Sequence, residues 1–113
     1  MDLICMTHDE RLAMMRKRHA FLSEMVDGYN SFETFIQDCD ERLAIMGIEL
    51  QDCGSHLYVY MPLGFNEYEG YHIIGNASGC LAVSPAVMWQ DDCCANSCID
   101  IFTGKRVDEE EIY

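Results

Sequence analysis

The sequence predicts an α+β fold: an N-terminal antiparallel helical hairpin packed on a small antiparallel sheet of about four strands. Three observations predict it. Apolar residues recur at steps of three and four through the first half of the chain, the period of one helix face. After Gly54 the pattern switches to strict alternation in His56-Leu57-Tyr58-Val59-Tyr60-Met61, the period of a half-buried strand. Glycine, asparagine and serine cluster between the later apolar runs, as hairpin connections require. At 113 residues the chain is one domain, residues 1–113, large enough to bury roughly two-thirds of its unfolded surface without staples.

The first helix is expected over residues 7–27. Thr7 with Glu10 three residues later forms a capping-box pattern, and Gly28 supplies a stop. Leu12, Met15, His19, Leu22 and Val26 share one face, His19 as a packed or boundary residue. Arg16-Lys17-Arg18 belongs to the polar side. It is expected to face the acids of the second helix or, in a homodimer, those of another subunit. The short connector Gly28-Tyr29-Asn30 predicts antiparallel packing of the two helices.

Ser31 caps the second helix, expected over residues 31–53. Phe32, Ile36, Cys39, Leu43, Met46, Leu50 and Cys53 fall on one stripe. Gly47 weakens the last third, and a helix ending there would leave Ile48 to Leu50 as a strand; the stripe favours continuation to Gly54. The other side carries Glu33, Asp38, Asp40, Glu41, Glu49 and Asp52 against one base, Arg42.

A β-rich part is expected over residues 56–107. The alternating strand places Leu57, Val59 and Met61 on one face and His56, Tyr58 and Tyr60 on the other, and ends at Pro62. Gly64 to Gly70 reads as a loop carrying Phe65 and Tyr68 among acids. Tyr71 to Ile74 and Cys80 to Val83 read as strands joined by Gly75 to Gly79. Ala86 to Gln90 fits either a helical turn after Ser84-Pro85 or a further strand. Ile99 to Phe102 is the last strand, turned at Thr103-Gly104-Lys105, with Val107 returning along it. Residues 108–113 form an acidic tail.

Charge is the strongest functional signal. Twenty acidic residues against seven basic ones give a net charge of −13, beyond the magnitude of about 2–8 that serves solubility on a small domain. Residues 43–104 hold no lysine or arginine. Such a field repels nucleic acid and anionic membrane and attracts basic partners. Carboxylates can also occupy the basic grooves that grip phosphates. Phage inhibitors of restriction and CRISPR nucleases and the immunity proteins of nuclease toxins act in this way. The chain is similar to them in size and charge, and no family motif accompanies the similarity. The expected function is therefore stoichiometric inhibition, without turnover, of a larger basic protein such as a nuclease or defence complex. The expected partner surface is Glu49, Asp52, Glu67, Glu69, Asp91 and Asp92, with Phe65 and Tyr68 as aromatic anchors. Tyr71 and Trp89 are expected in the core.

Seven cysteines, an odd number, read as reduced thiols, Cys39 and Cys53 acting as small apolar core residues. A competing expectation is a zinc-stabilised interaction module, with Cys53 and His56 joined by Cys93 and Cys98 as ligands. A third is a cysteine enzyme with His56 or His72 as base and Asp92 or Asp100 as orienter. No nucleophile turn, phosphate loop or dinucleotide fingerprint accompanies it. No apolar run approaches the ~18 residues of a membrane span. The N-terminus has an early acid and a short apolar piece, unlike a secretory signal, so the expected location is cytoplasmic.

Overall fold

The computed structural model describes residues 7–64, 67–75, 78–91 and 97–108. Two helices, α1 (His8–Val26) and α2 (Phe32–Ile45), precede five strands: β1 (Glu49–Asp52), β2 (Leu57–Gly64), β3 (Glu67–Gly75), β4 (Leu81–Asp91) and β5 (Ser97–Asp100). The strands form one antiparallel meander in the order β1-β2-β3-β4-β5. The α+β class stands, with one strand more than expected.

Helix α1 begins where the capping box places it. Thr7 Oγ1 accepts the Glu10 amide at 3.1 Å, and the Thr7 amide donates to Glu10 Oε1 at 3.4 Å. It buries Leu12, Met15, Leu22 and Val26. The connector then bonds to the sheet, the Leu81 amide donating to Tyr29 O at 2.8 Å. Helices α1 and α2 flank a shared groove lined by Phe21, Glu24 and Met25 of α1 and by Arg42 and Met46 at the end of α2.

The second helix is shorter than its apolar stripe implied. Met46 is its C-cap and Gly47 adopts φ +79°, a left-handed conformation that glycine enters without steric cost. The Gly47 amide donates to Ala44 O at 3.0 Å and the Ile48 amide to Leu43 O at 2.9 Å, a Schellman closure. Leu43 and Ile48 both enter the core beyond it. Leu50 is therefore a strand residue, half-buried against the core, while Met46 and Cys53 are exposed. Within α2 the buried line is Phe35, Cys39 and Leu43; Phe32 and Ile36 pack beside it. Spacing alone does not distinguish a step of three from a step of four at the first turn.

Two further corrections fall in the sheet. Strand β2 passes through Pro62, because the register shifts between Pro62 and Gly64 and a bulge tolerates the missing donor. Residues 67–70, expected in a loop, open β3 and pair with β4. Ala86 to Gln90 is strand, not a helical turn. Ser84-Pro85 forms the irregularity that lets β4 pair both Val83 with Ile73 and Val87 with Tyr71. At the far edge the Val107 amide returns to Cys98 O at 2.8 Å.

Register separates the two faces. Leu57, Val59 and Met61 stand opposite Ile73, Tyr71 and Glu69, and with Val83, Val87 and Ile101 they join Leu22, Val26, Phe35 and Leu43 in one core. The alternate residues, among them Tyr58, Tyr60, Gly70, His72 and Met88, point to the opposite face.

Candidate interaction surfaces

Of the acidic residues expected to share one surface, the three described in full, Glu49, Asp52 and Glu69, do not. Glu69 is fully buried on the helix-covered face. Its Oε2 accepts the Tyr71 hydroxyl and lies 3.8 Å from Arg18 Nη1. The Tyr71 hydroxyl is also 3.3 Å from Met15 O. Burial, followed by the Glu69 charge, raises the Tyr71 hydroxyl's pKa well above its ordinary range, so it stays protonated as a donor. Glu69 is thus an internal residue, placed there because residues 67–70 are strand and position 69 faces the helices.

Glu49 and Asp52 are both exposed on edge strand β1 but face opposite ways. Glu49 lies opposite Tyr60 and Asp52 opposite Leu57. Asp52 Oδ1 accepts the Gly54 amide at 2.9 Å and closes the turn. Glu67 and Asp91 pair in register between β3 and β4; their side chains, and Phe65, Asp92 and Cys93 entirely, lie outside the described residues. Tyr68 is 39% exposed and packs on Tyr60.

What the fold does assemble is a different acidic side. Glu33, Asp38, Asp40 and Glu41 of α2 are all exposed, and α2 packs against β1, which adds Asp52 on the helix-facing side, while Glu49 points to the other face. Arg42 is the one base between Ser31 and Cys53. Tyr29 joins this side: its hydroxyl donates to Asp38 Oδ2 at 3.1 Å and accepts from Cys39 Sγ at 3.7 Å. The bond with Cys39, partial burial and the Asp38 carboxylate push its pKa up to about 12.

Three of the four bases of α1 turn away from these acids, and Lys17 stays exposed beside Met46 and Ile48. Arg16 Nε donates to Ile101 O at 2.6 Å. Arg18 reaches Pro62 O as well as Glu69, and Arg11 lies 3.9 Å above the Trp89 ring. The expectation that Arg16-Lys17-Arg18 would face the second helix is corrected for both arginines. Backbone carbonyls of Pro62 and Ile101 and the buried Glu69 carboxylate stand within reach of these arginines, and the buried carboxylate attracts more strongly than the solvated acids of α2. Trp89, expected in the core, packs half-buried at its edge, whereas Tyr71 is fully buried.

The zinc set does not come together. Cys53 follows β1 and Cys98 lies in β5, at opposite edges of the sheet. Four strand spacings separate them, about 19 Å, and one ion cannot take both. Among the described residues no group of three or more histidine, cysteine, aspartate or glutamate side chains could hold a metal. Cys53 is exposed, not core, and Cys39 and Cys98 are buried thiols. Asp100, a candidate orienter, accepts the Phe102 and Thr103 amides at 2.9 and 3.1 Å and builds the turn after β5.

The alternation of residues 56–61 places His56, Tyr58 and Tyr60 on one face, and the fold extends that face into a continuous surface. The outer face carries His56, Tyr58, Tyr60, Tyr68 and His72 as a row of touching rings. Tyr58 lies across Gly70, where an added methyl would overlap its hydroxyl and ring, and its hydroxyl points to Met88 Sδ at 3.4 Å. His72 is buried beneath the row; burial and then the neighbouring His56 lower its pKa to about 4. No described helix is long and apolar enough to cross a membrane. Comparison with family models, with curated proteins and with solved structures returned no match.

Proposed function

We propose that this is a cytoplasmic binding protein that acts stoichiometrically and without turnover. Its acidic α2–β1 side docks on the basic, nucleic-acid-binding surface of a larger protein, a nuclease or defence effector, and blocks it. One observation carries the proposal: four exposed carboxylates of α2 and Asp52 of β1 share that side, with Arg42 as the one base of α2, while three arginines of α1 are tied to carbonyls, a buried carboxylate and an indole. The charges are separated in space as well as in sequence. A carboxylate array of this kind competes with phosphates for a basic groove, and its association is steered and salt-sensitive.

The test is capture on the immobilised protein from an extract at low salt, followed by elution with duplex DNA. A partner that DNA displaces, that high salt releases, and that Asp40→Lys/Glu41→Lys fails to capture supports the proposal. Retention through DNA and salt, or equal capture by the charge-reversed variant, refutes it.

A further inference from the structure

The ring row on the outer face is continuous. Centroids are 5.2 Å apart for His56–His72, 5.0 Å for His72–Tyr58, 5.3 Å for Tyr58–Tyr60 and 5.1 Å for Tyr60–Tyr68. It starts at half-buried His56, passes through buried His72 and ends at Tyr68, an exposed ring. Glu49 pairs with Tyr60, the ring next to that end, and is open to solvent. The helices pack on the other face, so this face owes its half-burial to the rings themselves.

The electrostatics of the row point to one kind of ligand. Tyrosine ring faces carry partial negative charge and attract cations. Strands β1 to β5 contain no lysine or arginine, so the sheet brings rings and carboxylates but no cation of its own. The fold already uses this chemistry once, with Arg11 stacked 3.9 Å above Trp89. A nucleic-acid base would stack equally well on a tyrosine, but its phosphates would meet a net charge of −13. Two copies set face to face would bring rings and Glu49 against rings and Glu49, with no charge to complement them.

We propose that Tyr60 and Tyr68, flanked by Glu49, form a docking strip for arginine side chains of a basic protein partner. The rings take the faces of the guanidinium groups and Glu49 accepts their N–H fork. This rests on the preceding proposal that the partner is basic, and adds which side chains it presents and where they land. Arginine is favoured over lysine because its planar, weakly hydrated guanidinium stacks on aromatic faces.

The experiment uses two synthetic peptides of equal length and charge, one of arginines and one of lysines, titrated calorimetrically into the full chain. Ring-proton contacts to the peptide are read by NMR. The wild type should bind the arginine peptide more tightly, with contacts from its guanidinium groups to Tyr60 and Tyr68. Tyr60→Leu/Tyr68→Leu should weaken the arginine peptide roughly tenfold and erase its preference over lysine, whereas Tyr60→Phe/Tyr68→Phe should keep it. Asp40→Lys/Glu41→Lys should weaken both peptides alike and leave the preference intact. Equal binding of the two peptides, ring contacts absent from the wild type, or a leucine variant that keeps the preference overturns the docking strip and leaves the acidic side standing. Failure of the wild type to bind either peptide overturns both.

Discussion

The two faces of the central strands solve the same packing problem in opposite ways. On the covered face, Leu57, Val59, Tyr71 and Ile73 are excluded from solvent by residues of α1 and α2, and a carboxylate is buried among them with a tyrosine and an arginine as partners. On the open face no helix is spent. Tyrosine and histidine rings lie along the strands and cover one another, and Gly70 leaves room for Tyr58. The covered face holds its polar groups by removing them from water. The open face keeps its polar edges wet while its ring bodies bury the strands. The first arrangement gives stability and the second leaves a surface with chemistry to offer.

The sharpest way to break this comparison is truncation on each side. Phe35→Ala, emptying a fully buried site under the helices, should cost about 3–5 kcal/mol. Tyr60→Ala, on the half-exposed row, should cost about 1–2 kcal/mol. Equilibrium denaturation of both variants checks the difference, and equal losses would mean that the open face carries as much of the core as the covered one.

The next effect is in pH. His72 has its pKa lowered to about 4 in the fold, against an ordinary value of about 6.5. Between those values the unfolded chain binds a proton that the folded chain refuses, so stability rises with pH across this window. The contribution is complete above pH ~6.5 and is lost as pH falls towards ~4. It amounts to about 3 kcal/mol, and His72→Phe should flatten the wild-type slope over that interval. A slope unchanged in the variant would show that His72 does not titrate under the rings.

The smallest effect tests the close fit of the open face. Gly70→Ala should cost about 1–2 kcal/mol by forcing Tyr58 aside. In a Tyr58→Ala background the same change should be nearly neutral, because the overlap is gone. A full cost in both backgrounds would place the strain in the backbone instead.

Much of the scaffold was legible. Thr7 and Glu10 announce the start of α1 because a cap is a local device, complete within four residues. The alternation of residues 56–61 announces β2 and its two faces, since a strand's period needs no partner to be read. The second helix was legible at its start, in Ser31, but not at its end. Met46, Leu50 and Cys53 continue a helical spacing by coincidence, and the stop depends on Gly47 taking a positive φ that Leu43 and Ile48 secure by packing together. Glu69 was misplaced for a related reason. Gly64-Phe65-Asn66-Glu67-Tyr68-Glu69-Gly70 has the composition of a loop, and only pairing with β4 makes its second half a strand with one carboxylate aimed inwards. The zinc expectation failed on topology: Cys53 and Cys98 flank a meander whose strand order puts them at opposite edges.

By itself, then, the sequence determined the α+β class, the caps, the alternating strand and the excess of negative charge, all of which follow from local periodicity, short-range hydrogen bonding or simple counting. The tertiary structure alone decided which charges remain at the surface. Arg16 and Arg18 turn to backbone carbonyls of the sheet side, and Glu69 turns inwards to Tyr71 and Arg18, because strand pairing and helix packing bring these groups together and a buried carboxylate interacts more strongly than a solvated one. The acidic side that remains on α2 and β1, and the ring row behind it, are products of that long-range arrangement.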